Sequence, residues 1–137
     1  MKRLMGIDYG DKRVGIAVTD PLRLTAQGLM VLENDRKLLS EIAKLCLEKD
    51  VEKVIVGLPQ SLKGGASAQT AKVDNFIVEL KARLPLPVLA WDERYSTKIV
   101  ERTLIAADVS RARRKQVIDK MAAAYILQDY LEHERKI

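Results

Sequence analysis

Histidine and cysteine are nearly absent from this chain: His133 and Cys46 are its only examples. His133 lies among charged residues near the C-terminus and reads as a solvated side chain. A lone cysteine forms no intrachain disulfide and builds no cysteine zinc site. A serine–histidine or cysteine–histidine mechanism has little to work with. Acid, base and ligand chemistry therefore falls to carboxylates, and three places could bring them together. Asp8 ends an apolar run and precedes Tyr9-Gly10-Asp11-Lys12-Arg13. Asp92 and Glu93 directly follow a second apolar run. Asp119 stands three and four residues before Ala122 and Ala123, so on a helix the three share one face. Small side chains on that face would let the helix backbone approach a sheet closely. Oxygen donors without imidazole or thiolate suit a hard cation, Mg2+ or Mn2+. Two such ions about 3.5–4 Å apart can activate water and stabilise the leaving oxygen of a phosphodiester. Asp11 reads as a turn residue and Asp20, before Pro21, as a strand terminator. Asp129 falls on another flank of its helix and is left outside the site.

The elements that must position these carboxylates follow from hydrophobic period. Strands are expected at 3–9 and 13–19, where Val14, Ile16 and Val18 alternate with Gly15 and Ala17. The connection is short enough to make them an antiparallel hairpin. A third strand at 27–32 continues the meander. Asn34 or Asp35 can cap a helix carrying Leu38, Ile42, Leu45 and Cys46. A buried strand follows at 51–57, then a loop at 58–67 punctuated by Pro59, Gly64 and Gly65. A second helix presents Val73, Phe76, Ile77, Leu80 and Leu84 on one face. A fifth strand at 86–91 and helices at 97–107 and 111–132 complete the order. The expected fold class is α/β: a mixed five-stranded sheet, a three-stranded antiparallel meander plus two parallel crossover strands, flanked by helices. The first strand lies centrally and runs parallel to the fifth. Asp8 and the Asp92-Glu93 pair then share one edge of the sheet, where open α/β sheets place ligands.

With 47% hydrophobic and 31% charged residues, the chain can bury a core and keep a wet surface. Residues 1–137 are expected to form a single domain. No apolar run approaches the roughly 20 residues of a membrane span, and no signal peptide is expected. With the single cysteine, this points to the cytoplasm. The net charge of +5 permits an anionic partner, and its distribution says more than its total. Lys12 and Arg13 lie beside Asp8, and Arg94, Lys98 and Arg102 form a basic row after the fifth strand. Ser110 is a plausible N-cap, followed by Arg111, Arg113, Arg114 and Lys115. Cations in a first helical turn oppose the helix dipole at about 0.3–1 kcal/mol each. Glu132 and Glu134 at the other end also carry the wrong sign. Rules broken in this way mark functional positions, and a polyanion would account for the basic end. Candidate stacking aromatics are few: Tyr9, Trp91 and Tyr95, with Phe76 reading as core. Contact to the nucleic-acid backbone is expected over base stacking.

Four segments, GIDYGDKRVGIAV, VGLP at 56–59, DERYST at 92–97 and DKMAAAYILQDYL at 119–131, together resemble the YqgF/RuvX family. Its members are ribonuclease H-like proteins described as Holliday junction resolvases and as pre-16S rRNA processing nucleases. The resemblance covers essentially the whole chain, in order. It implies a ribonuclease H-like nuclease domain and metal-dependent phosphodiester hydrolysis, with Asp8, Glu93 and Asp119 as catalytic and metal-binding positions. The residues alone leave Asp92 and Glu93 as alternatives, and family position favours Glu93. Lys12, Arg13 and Arg94 match basic motif positions, and Ser96 and Thr97 match a polar helix entry. The segment QSLKGGASAQ departs from the Asn-rich, Asp-Gly-containing loop more usual there. The implied partner is nucleic acid, precursor rRNA or branched DNA, acted on by a monomer or homodimer. Two other readings stand beside this one. The chain could be a non-catalytic nucleic-acid-binding module of ribosome assembly. Alternatively, it could be a minimal ATP-binding domain of the actin and sugar-kinase type, which also opens on Asp-x-Gly.

Overall fold

The computed structural model describes residues 2–58, 68–92 and 111–135, with side chains of the last helix described over 120–134. Strands β1 (Arg3–Tyr9), β2 (Arg13–Thr19) and β3 (Ala26–Glu33) are followed by helix α1 (Leu38–Glu48) and β4 (Val51–Leu58). Helix α2 (Ala68–Arg83), β5 (Val88–Asp92) and helix α3 (Arg111–Arg135) follow. The five strands form one sheet in the order β3-β2-β1-β4-β5. β1–β2 and β2–β3 are antiparallel, while β1–β4 and β4–β5 are parallel. This is the expected meander with two crossover strands, and β1 is central.

Strand alternation divides the core into two layers. Met5, Ile7, Val14, Ile16, Val54 and Val56 face α1 and α2. Leu4, Ala17 and Ile55 face α3, meeting Ala123, Ile126, Leu127 and Leu131. A fully buried aliphatic side chain contributes about 1.5–3 kcal/mol, so both layers are strong contributors. The α3 layer is built on small residues. A Cβ at Gly6 would stand 2.8 Å from the Leu127 Cβ and 2.9 Å from the Ala123 carbonyl. Ala122 and Ala123 are fully buried. The close helix approach expected from the alanine pair is present, and Gly6 is its counterpart in the sheet.

β3 carries one extra residue: Ile16 pairs with Met30 but Ala17 pairs with Gly28. Leu29 is therefore bulged, and Leu29 and Met30 pack in succession on the same core layer. β5 begins at Val88, two residues later than the expected 86. Pro87 has no N–H to offer a ladder, and its carbonyl accepts the Val54 N–H at 3.0 Å. The N-cap position of α1 is Lys37, without a side-chain cap. Asp35 instead accepts the Lys37 N–H at 2.9 Å, while Asn34 is engaged elsewhere. The helix expected at 97–107 lies outside the described residues.

Candidate active site at the carboxyl edge of the sheet

Parallel pairing brings the ends of β1, β4 and β5 to one edge, with Ile7 beside Val56 and Leu58 beside Asp92. Asp8 is half-buried there and pairs with Gly15 of β2. Leu4 belongs to the α3 layer, Met5 and Ile7 to the other, and Gly6 touches α3. The same alternation puts Asp8 on the α3 face and Tyr9 opposite, where its ring lies 4.3 Å from Phe76. Arg13, two residues from Gly15, also falls on the α3 face.

The turn after Asp8 is braced from two sides. Gly10 N–H donates to the Arg13 carbonyl at 3.0 Å, closing the turn. A Cβ on Gly10 would stand 2.5 Å from that oxygen, so the position requires glycine. After β3, Asn34 donates through Nδ2 to the Gly10 carbonyl at 2.7 Å and through its backbone N–H to the Lys12 carbonyl at 2.9 Å. From α2, Gln69 Nε2 donates to the Tyr9 carbonyl at 3.3 Å, and Lys72 pairs with Asp11 at 3.0 Å. Asp11 is thus a turn residue with a structural partner, as expected. Asn34 and Gln69 were not legible as site supports, because each acts across a long sequence separation.

α3 packs across the face of the sheet that carries Asp8. Tyr130 receives a hydrogen bond from Lys53, beside Leu4, at 2.9 Å. Ala123 and Leu127 meet Gly6, and Lys120 meets Gly28. Gly28 stands level with Gly6 through Ala17, so the helix crosses the sheet obliquely, from β4 and β5 at Tyr130 towards β3 at Lys120. Position 119 lies one turn before Ala123, about 6 Å further along the axis. Arg111, Arg113, Arg114 and Lys115 lie in the first turns of α3, where no acidic residue occurs.

Asp92 is exposed at the end of β5. Its neighbour Trp91 points into the α3 layer, where Nε1–H donates to Asp129 at 2.9 Å and the ring packs edge-on against Tyr130 at 5.2 Å. Alternation then assigns Asp92 to the face opposite Asp8. Glu93, Arg94 and Lys98 lie outside the described residues. Asp129, left out of the site on sequence grounds, is the Trp91 acceptor.

The edge offers oxygen ligands. Cys46 is buried in the other layer, and burial pushes its thiol up to about 11. His133 packs against Trp91 with ring centroids 5.1 Å apart, 14 residues and about 21 Å along α3 from position 119. This donor chemistry fits a hard cation. Among the described residues no three His, Cys, Asp or Glu side chains cluster.

Glu134, unfavourable to the helix dipole, has a local explanation. It lies 3.6 Å from Lys53 and 3.9 Å from Arg23, which also pairs with Glu52. The Tyr130 hydroxyl, then Glu134, raises the Lys53 ammonium above its ordinary range. Asp20 accepts backbone N–H groups of Leu22, Leu24 and Thr25 at 2.7–3.2 Å, confirming it as the organiser of the strand end. Those bonds, Thr25 first, hold its carboxyl below the usual range.

The sheet order and the α3 layer define the ribonuclease H-like fold. Thermus thermophilus RuvC in complex with Holliday junction substrate superposes with a TM-score of 0.59 at 15% identity, over 98% of this chain and 96% of that one. The fowlpox virus resolvase bound to its Holliday junction gives 0.53 at 15% identity, over 96% and 98%. The model of the family described as "RuvX: Holliday junction resolvase" matches residues 2–133, and the chain belongs to that family. A relative from Desulforamulus reducens is 48% identical over 136 residues, covering 98% of this chain and 99% of its own length. One from Listeria monocytogenes serovar 1/2a is 49% identical, covering 95% and 97%. Both are named "Putative pre-16S rRNA nuclease". Among the described residues no helix is long and apolar enough to cross a membrane.

Proposed function

We propose that this chain is a divalent-metal-dependent nuclease in which Asp8, Glu93 and Asp119 hold Mg2+ or Mn2+. The observation that supports this is the packing of α3 on the face of the sheet that carries Asp8, with Ala123 against Gly6, two residues before Asp8, and Lys120 beside Lys12 and Arg13. The parity of β5 supports Glu93 over Asp92, because Trp91 occupies the α3 face. When bound, the ion would supply an activated water and charge stabilisation at the phosphodiester. The protein's own part is to fix the Asp8 turn rigidly and to bring cations to the backbone of the substrate. Those cations are Lys12, Arg13, Arg94, Lys98, Arg111, Arg113, Arg114 and Lys115. The names of the relatives favour pre-16S rRNA as substrate, and the reading proposed is processing of its 5′ end in the cytoplasm. The junction-bound neighbours keep branched DNA as a second one.

The test is cleavage of a pre-16S rRNA leader and of a four-way DNA junction, with and without Mg2+ or Mn2+. Asp8→Asn should lower cleavage by on the order of 10³-fold or more and leave the melting temperature near that of the parent. Full cleavage by purified Asp8→Asn protein would overturn the assignment.

A further inference from the structure

Beside the Asp8 turn lies an open cavity of about 840 Å³, bordered by the turn, β3 and Lys120 of α3. Its charged lining among the described residues comprises three cations and three carboxylates. Lys12 and Arg13 enter from the turn and Lys120 from the helix, while Glu33 and Asp35 stand at the end of β3. Asp11 also lines it and is paired with Lys72. Lys120 is held in place by the sheet: a Cβ on Gly28 would stand 3.1 Å from the Lys120 Cβ and 3.3 Å from its carbonyl. Among the described residues no aromatic side chain lines the cavity, and they provide no stacking platform. Among the described residues β3 pairs with β2 alone, leaving main-chain groups on its outer edge. The volume lies within the roughly 300–1,000 Å³ of small-ligand sites.

We infer that this cavity is the track of a single nucleic-acid strand passing the Asp8 edge, with Lys120 contacting its phosphates and Glu33, paired in register with Arg13, bounding it at the end of β3. The inference rests on the nuclease reading and adds to it a direction, towards the meander side of the sheet, and a contact, Lys120. Lys120 precedes the buried Ala122-Ala123 pair, so the element that packs the helix down also delivers the cation. Glu33 repels phosphate and keeps the strand on the Lys120 side. Contact is to phosphate, so RNA and DNA single strands should be held alike.

The experiment uses full-length Asp8→Asn protein without divalent metal, so that binding is read apart from cleavage. The probes are a labelled 12-nucleotide single-stranded RNA, the matching DNA and a blunt duplex, titrated by fluorescence anisotropy between 50 and 200 mM KCl. Lys120→Glu should weaken single-strand binding about tenfold and lower the slope of log affinity against log salt by about 0.7, one phosphate contact. Lys120→Arg should restore both values. Glu33→Gln should tighten single-strand binding about threefold through the removed repulsion. Duplex affinity should change less in every case. If Lys120→Glu lowers the melting temperature, Lys120→Gln and Glu33→Gln carry the same comparison. Unchanged affinity and slope in Lys120 and Glu33 variants of a parent that binds would overturn the strand track and leave the nuclease reading standing. A parent that binds no nucleic acid overturns both. A Lys120 effect confined to RNA, to DNA or to the duplex overturns the phosphate assignment.

Discussion

The two edges of the sheet under α3 are stabilised by different chemistry. At the carboxyl edge the Asp8 turn is fixed mainly by neutral amides: Asn34 on Gly10, Gln69 on Tyr9 and the Gly10–Arg13 closure. At the amino edge the fixing groups are charges. Arg23 meets Glu52 and Glu134, Lys53 meets Glu134 and Tyr130, and Asp20 gathers the backbone of its loop. Arg23 sits there at φ 57°, a left-handed conformation costing about 1–3 kcal/mol that its partners offset. Charge at one edge is consumed within the protein. At the other the backbone is held by amides, and Lys12 and Arg13 flank the cavity beside the site.

Three changes would break or sharpen this contrast. Gly10→Ala should be the most damaging, costing about 2–3 kcal/mol in urea unfolding, because its Cβ would collide with the Arg13 carbonyl. It should also depress cleavage, since the turn cannot close. A neutral result would mean that the turn is less rigid than its hydrogen bonds imply. Next, Asn34→Ala should cost about 1–2 kcal/mol by leaving the half-buried Gly10 carbonyl without this donor. Its loss should raise amide exchange around Lys12 and leave Arg23 unaffected; equal loosening at both edges would erase the distinction.

The smallest effect is with pH. The Asp20 carboxyl is held below its ordinary 3.8, so its contribution is complete above that value and disappears as pH falls through the lowered one. The Lys53 ammonium is raised above its ordinary 10.5, so its contribution is complete below 10.5 and is lost as pH climbs through the raised value. Hydrogen exchange should therefore show the amino edge loosening at both extremes, while the amide-held turn responds less. The partly exposed pairs are worth about 0–1 kcal/mol each, so the effect is local.

The sheet was largely legible in the sequence because alternation and strand length are local properties. β1 and β2 begin and end where the pattern of Leu4, Ile7, Val14 and Ile16 places them. The Ala122-Ala123 pair announced a close helix contact, and the structure supplies Gly6 as its partner. What was illegible acts at long range. Asn34 reads as a helix cap from its neighbours, yet it bonds to a turn 24 residues earlier. Glu134 reads as an error against the helix dipole until Lys53 and Arg23 are placed beside it. Lys120 carries no mark in the sequence beyond its place next to Asp119. Its role depends on Gly28, on a strand far away in the chain.

The bulge in β3 has a consequence for how this chain can change length. Leu29 is the residue without a cross-strand partner, and Met30 and Gly28 already stand opposite adjacent residues of β2. Deleting Leu29 would leave every remaining pair of the hairpin in register. A deletion elsewhere in β3 would send its side chains to the wrong layer. The cost of losing Leu29 would appear outside the molecule: a straighter, flatter outer strand is a better template for pairing with another chain. Removing this single leucine is therefore expected to spare the hairpin's pairing and to raise aggregation, as light scattering would show.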